Sequence, residues 1–268
     1  MLRSQALEAI SQTSYAEKLR CTQQMDVQGW VDCDAVLQSH HVLPGRETLP
    51  VLVPHHQLPK RSMASVEGRA TMIHALAHIE LNAVDLALDM VWRFEKMPEK
   101  FYRDWAQIAI EEAHHHQLLT AHLQRSGFCY GDFSAHNGLW DMAEKTRSDV
   151  LARLALVPRT LEARGLDASL PIRNKLAQVG DHEAASILDV ILRDEIGHVA
   201  TGNYWYRYVC RQRGLEPVST YARLAQQYHA PRLRGPFNLD ARRAAGFEES
   251  ELVELQKMSE TASTTHGD

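Results

Sequence analysis

Cysteine is scarce and scattered. Cys21, Cys33, Cys129 and Cys210 form no Cys-x-x-Cys pair in 268 residues, so neither a zinc-thiolate site nor a disulfide framework is implied. Thiols in a reducing cytoplasm are the expectation for cysteines placed this way. Long apolar runs are missing too: no stretch of 18 or more apolar residues occurs, and no transmembrane helix is expected. The first residues, Met1 to Glu8, lack the apolar core of a signal peptide and read as the start of an amphipathic helix. Positive charge does not dominate. Lys and Arg number 29 against 34 Asp and Glu, a formal net charge of -5, which argues against a general nucleic-acid binder. Strand-like alternation and repeats of solenoid length are also absent. What remains is ordinary for a globular chain, with 44% hydrophobic and 24% charged residues, and wholesale disorder is excluded on that ground. The expectation is a cytoplasmic protein without a membrane partner.

Histidine is the residue in excess, with 15 copies. Its most informative use is in two Glu-x-x-His units, Glu112-Ala113-His114-His115 and Glu195-Ile196-Gly197-His198. On a helix, residues three apart lie about 60° apart around the axis and one turn along it, so each unit aims a carboxylate and an imidazole at one point. Two such units, with one Glu from each of two further helices, make the ligand set of a di-metal carboxylate site in a four-helix bundle.

The rest of the chain supplies helices to carry it. Residues 3–22 read as a helix, followed to about Met63 by an irregular stretch punctuated by Pro44, Pro50, Pro54 and Pro59. It is too short and Pro-rich to own a core, and reads as an extended surface wrap. Long helices are predicted over 66–94 and from Pro98 to Ser126, where Gly127 is a natural stop. A third is predicted over 139–164, kinked or bulged by Pro158, with the pattern broken from Gly165 to Pro171. A fourth covers 181–213. Shorter helices follow, interrupted by Pro231, Gly235 and Pro236, and the polar tail after Met258 is expected to fray. The domain reading is an N-terminal helix and wrap (1–65), a helical bundle (66–213) and a C-terminal helical extension with its tail (214–268).

Helical spacing also selects the candidate ligands. Glu80 stands in an apolar stripe with Ile73, Leu76, Ala77, Ala83, Val84 and Ala87, where a carboxylate is costly unless paired or metal-bound. His78 lies about 200° around the helix from Glu80 and cannot share its site; with His74 it reads as an interhelix hydrogen-bonding group. Glu112 shares its face with Trp105, Ile108, Ala109 and Leu119, whereas Glu111 shares its face with Asp104 and Gln107. Glu112 and His115 are therefore the inward pair. Glu195 follows Leu188, Ile191 and Leu192 and faces inward with His198. For the third helix both Glu144 and Glu162 are available. Spacing favours Glu162: 112 - 80 is 32 and 195 - 162 is 33, whereas Glu144 would give 51. Near-equal separations suit two similar antiparallel hairpins that feed one centre. The expected ligand set is thus Glu80, Glu112, His115, Glu162, Glu195 and His198. Four carboxylates and two imidazoles without thiolate suit two iron ions, or manganese, better than copper(I) or structural zinc.

These motifs resemble the ferritin-like superfamily. From Ile73 to about Trp205 the chain is similar to a bacterial ferritin-like family of unknown function. The stretches that carry the likeness are His74-Ala75-Leu76-Ala77-His78-Ile79-Glu80-Leu81, Glu111 to His115, Gly138-Leu139-Trp140 running on to Thr146, Leu161 to Asp167, and Asp194 to Val199. Glu162-Ala163-Arg164 and the ligand spacing also resemble, more distantly, the di-iron tRNA-modifying hydroxylases. The resemblance implies an all-α fold, a ferritin-like four-helix bundle with N-terminal and C-terminal helical extensions. It further implies an oxygen-activating di-iron oxidoreductase, a hydroxylase or monooxygenase, acting on a small-molecule or modified-nucleoside substrate with an electron-donor protein. The same likeness admits a ferroxidase or manganese-catalase-like protein, or a helical module with a structural metal. One further segment bears on substrate. Between Arg211 and Arg243 seven arginines face two acids, Glu216 and Asp240; this local excess can hold a phosphate-bearing or RNA substrate, or simply form a solvated face paired with acids elsewhere.

Overall fold

The computed structural model describes residues 1–58 and 62–264. It is all-helical: among the described residues the β pairing is one isolated bridge, Leu52 to Ala135. No helix among them is long and apolar enough to cross a membrane. The chain divides into two compact units, Met1–Asp141 with Val179–Ile187, and Met142–Gln178 with Leu188–Asp268.

The first unit begins with α1 (Leu2–Ser11) and α2 (Tyr15–Gln23). The single helix expected over 3–22 is therefore broken. The carbonyl of Ile10, left open at the end of α1, accepts a hydrogen bond from Gly45 N at 2.8 Å. The wrap segment comes so close that a Cβ on Gly45 would lie 2.4 Å from the carbonyl oxygens of Ser11 and Gln12, which only glycine allows. The irregular stretch runs on to α3 (Val66–Arg93), apart from one short 3-10 turn at His55–Gln57. Ser65 caps α3 by accepting from Gly68 N at 3.0 Å.

From Glu80 to Trp92 every residue of α3 is buried, the mark of a helix surrounded by others. Its C-terminal carbonyls need donors. Arg3 of α1, 1% exposed, supplies them to Val91 O at 3.3 Å and Trp92 O at 2.8 Å, and also donates to Asp32 O at 2.9 Å and Ala35 O at 2.8 Å. Pro98 then caps α4 (Glu99–Arg125), which returns along α3 and buries Phe101, Trp105, Ile108, Ala109, Leu119 and Leu123 at helical spacing. The helix stops at Gly127, which has the positive φ of 86° that such an ending requires.

The second unit takes up the second half of α5 (Gly138–Lys145). The helix expected over 139–164 is interrupted after Lys145 and restarts as α6 (Val150–Leu156), capped by Asp149. At Pro158 it widens into a π-helical turn, Val157–Glu162, since proline has no N–H to give to the preceding turn. The bulge expected of Pro158 is present. The break expected from Gly165 to Pro171 is not: α7 runs unbroken over Ala163–Gln178 with Pro171 inside it. Arg242 holds this helix by gripping Asp167 with two hydrogen bonds, 3.0 and 2.7 Å. A small core of Ala163, Leu166, Val199, Ala241 and Ala245 packs nearby. The long α8 (His182–Gln212) follows, then α9 (Pro217–Gln227), α10 (Leu239–Ala244) and α11 (Glu249–Thr264). Helix α11 thus covers the start of the tail expected to fray from Met258; the tail beyond Thr264, like Pro59, lies outside the described residues.

Candidate metal centre

Glu80 of α3 and Glu112 and His115 of α4 converge in the first unit. His115 Nδ1 lies 3.2 Å from Glu80 Oε2 and 3.1 Å from Glu112 Oε2. One ligand atom from each of the three falls within 4.8 Å of the others. All three are buried, at 4%, 1% and 0% exposure, values at which a lone charge would not survive. The local sequence explains the convergence. Glu112 and His115 are one turn apart on the buried face of α4, and Glu80 sits where the opposing helix becomes buried all round.

The protons of this cluster are displaced far from their ordinary values. Burial drives the Glu80 carboxyl upward, and the neighbouring Glu112 charge pushes the same way. Burial alone would lower the His115 imidazole, but the hydrogen bonds that Glu112 and Glu80 accept from it, with their charge, outweigh burial and raise it. Without another cation, the cluster must keep a proton on imidazole and share protons between its acids. A divalent ion supplies the same compensation directly, and carboxylate oxygen and imidazole nitrogen are suitable donors for iron or manganese. The donor set fits a metal.

The register choice on α4 is visible in burial. Glu111 is half-buried and accepts from Gln107 Nε2 at 2.9 Å, and His114 is exposed. In the second unit, Glu195 and His198 of α8 are buried, at 8% and 2% exposure, with Glu195 Oε1 4.0 Å from His198 Nδ1. Glu162 is half-buried and ends the π-helical turn. Glu144 lies outward, its side chain 42% exposed and 3.5 Å from Arg147. Asp194 is half-buried and pairs with Arg193 at 2.8 Å.

His74 and His78 serve hydrogen bonds, as their face of α3 suggests. His74 Nε2 accepts from Gly131 N at 2.9 Å, and His78 Nδ1 meets Tyr130 Oη at 2.7 Å. His116, also buried, donates from Nδ1 to Ala77 O at 2.8 Å, tying α4 to α3. Burial lowers His116 to about 4 and His78 to about 3, so both rings are neutral. Sequence reasoning missed Tyr130. Its half-buried ring stacks on His74 at 4.9 Å and packs T-shaped with His116 at 5.0 Å, yet it stands in the loop after α4, where no periodicity marks it. Of the arginines between 211 and 243, Arg213 pairs with Asp149, Arg242 with Asp167, and Arg243 with Asp240 and Glu249. Arg211, Arg223, Arg232 and Arg234 are exposed.

In chemical terms this is an all-helical protein with a buried glutamate–histidine cluster able to hold a metal ion. The chain belongs to the family described as "Protein of unknown function (DUF455)", which matches residues 6–253. An "Uncharacterized protein" of Haemophilus influenzae (strain ATCC 51907 / DSM 11121 / KW20 / Rd) is 46% identical over 219 residues, covering 79% of this chain and 76% of that one. No solved structure matches the chain significantly. Membership of an uncharacterised family is thereby shown, and neither match names a ferritin-like protein.

Proposed function

We propose that this is a ferritin-like di-metal carboxylate protein, an oxygen-activating oxidoreductase that takes two ions, iron before manganese. One half-set is Glu80, Glu112 and His115; the other is Glu162, Glu195 and His198. The near-equal spacing of the two acids in each set, 32 residues from Glu80 to Glu112 and 33 from Glu162 to Glu195, supports reading the sets as two copies of one ligand pattern. The observation that carries the proposal is the buried triad of the first unit, two acids and an imidazole within ligand distance of one another in an apolar interior. Bound there, redox-active ions supply the oxidation of a substrate C–H bond at the expense of dioxygen. The chain's own part is to hold the ions with hard donors and to keep water out. Ile73, Ala77, Val84, Ile108, Ala109 and Leu119, all buried, do the second task. Glu162 is favoured over Glu144 because its separation from Glu195 matches that of Glu80 from Glu112. The substrate class proposed is a small molecule or modified nucleoside, with the charge of the exposed Arg211, Arg223, Arg232 and Arg234 available to its phosphate, and a separate protein as electron donor.

Metal analysis of protein grown in iron-rich and manganese-rich media tests this. Two ions per chain are expected, falling to one in Glu112→Gln or His115→Ala. Reduced iron-loaded protein should show a transient absorption on exposure to oxygen that decays faster with a true substrate. Many irons per chain would instead indicate storage, rapid peroxide dismutation a catalase-like activity, and a redox-inert metal a structural role. Protein that purifies without metal and takes up none would end the proposal.

A further inference from the structure

The π-helical turn is gripped more heavily than a local irregularity needs. Arg159, in its middle, is 3% exposed. Its guanidinium lies 4.5 Å from the Tyr206 ring centre, 5.1 Å from Phe247 and 5.4 Å from Tyr221. Its Nη2 pairs with Glu251 of α11, and Glu251 is also bound by Arg207 at 2.8 Å. Among the described residues Nε and Nη1 of Arg159 have no hydrogen-bond partner; the aromatic faces receive that side of the cation. Thr160 donates to Ala155 O at 2.8 Å and meets Tyr221 Oη at 2.9 Å. On the α8 side Pro158 lies against Gly202, where a Cβ would approach it to 2.6 Å.

A buried guanidinium and carboxylate are expensive to desolvate, and an apolar pair of similar volume often serves stability as well. The distinctive consequence of the pair is positional. Arg159 stands three residues before Glu162, the residue that ends the turn, and Glu251 comes from the C-terminal extension. We infer that the Arg159–Glu251 pair is a positioning device through which α11 and α9 set the Glu162 carboxylate for its ion. The inference rests on the reading of Glu162 as a ligand. Arg159 and Glu251 act through the turn and touch no reacting atom.

Cobalt(II) titration of the full chain, followed by absorption and calorimetry, tests both statements separately. Glu162→Gln should abolish one of two cobalt sites. Glu251→Gln should weaken that same site by about tenfold or more, as loss of an outer partner of a ligand does, and alter its visible spectrum while sparing the other. Arg159→Lys should fall between wild type and Glu251→Gln. Tyr221→Phe, which removes only the hydrogen bond to Thr160, should weaken the site in the same direction and covers the case of a Glu251 variant that does not fold. Arg243→Gln, which removes the pair to Glu249 of α11 without touching Glu251 or the turn, should leave both sites unchanged. If Glu162→Gln loses a site but the Arg159, Tyr221 and Glu251 variants bind as wild type, the positioning role is wrong and the ligand reading stands. Equal losses in Arg243→Gln and Glu251→Gln would reduce the effect to general loosening and also overturn it. Two intact sites in Glu162→Gln would remove the ligand reading and the inference together.

Discussion

Glu80 and Glu112 are tolerated in an apolar interior because an imidazole lies between them, and this kind of compensation recurs at residue scale. Lys18 and Asp85 are 0% and 2% exposed, and Lys18 Nζ reaches Asp85 Oδ1 at 2.5 Å and Gly45 O at 2.7 Å. Burial lowers the lysine and raises the aspartate, each against the pull of its partner. The pair fastens α2 and the wrap to α3, and breaking it leaves a bare buried charge. Lys18→Met should therefore cost about 3–5 kcal/mol in urea unfolding, with much of the loss recovered in Lys18→Met/Asp85→Leu. A single-variant loss below about 1 kcal/mol would mean that the pair is solvated. The burial of Glu80 was legible from its stripe because an acid among alanines and leucines contradicts its surroundings. Lys18 was not legible. Its partner lies 67 residues away, and no spacing rule links the two.

At the scale of elements, α3, α4 and α8 follow from periodicity within a residue or two, since long amphipathic patterns dominate local preference. Failures fell where tertiary contacts override that preference. The split between α1 and α2 is made by Gly45 from a distant segment, and Pro171 is carried through α7 although an isolated helix would resist it. Pro158 was readable as an irregularity because proline removes a backbone donor wherever it stands. The joint between α1 and the end of α3 makes a quantitative case. Arg3 supplies donors to backbone carbonyls of both α3 and the wrap. Arg3→Met keeps much of the packing and strands those acceptors. Each unsatisfied buried group costs about 1–3 kcal/mol, so a total loss of about 3 kcal/mol or more is expected, with hydrogen exchange accelerated first at the C-terminal turn of α3. Exchange that rises evenly over the whole chain would show that Arg3 does not act as a local cap.

For the whole molecule, the candidate ligands divide evenly, two acids and an imidazole in each compact unit. Glu80 and Glu112 would be neutralised by one divalent ion beside a neutral His115, and without the ion these buried carboxylates must find protons or remain charged in an apolar interior. Metal removal should therefore be felt as lost stability, not only as lost chemistry. At a free ion concentration 100-fold above its Kd, each ion adds about 2.7 kcal/mol to the folded state. For a chain of this size 1 kcal/mol moves Tm by about 2–4 °C, so thorough chelation should lower Tm by about 5–10 °C for each ion removed. His115→Ala should melt as chelated protein does in its own half-set, and chelation should then shift it by only the remaining half. The same substitution separates two meanings of buried acids. If Glu80 and Glu112 are simply paired in the core, His115→Ala destabilises the metal-free protein, and the melting temperature of the parent chain is indifferent to chelator. If they are ligands, the parent chain loses stability to the chelator and regains it when iron(II) or manganese(II) is returned.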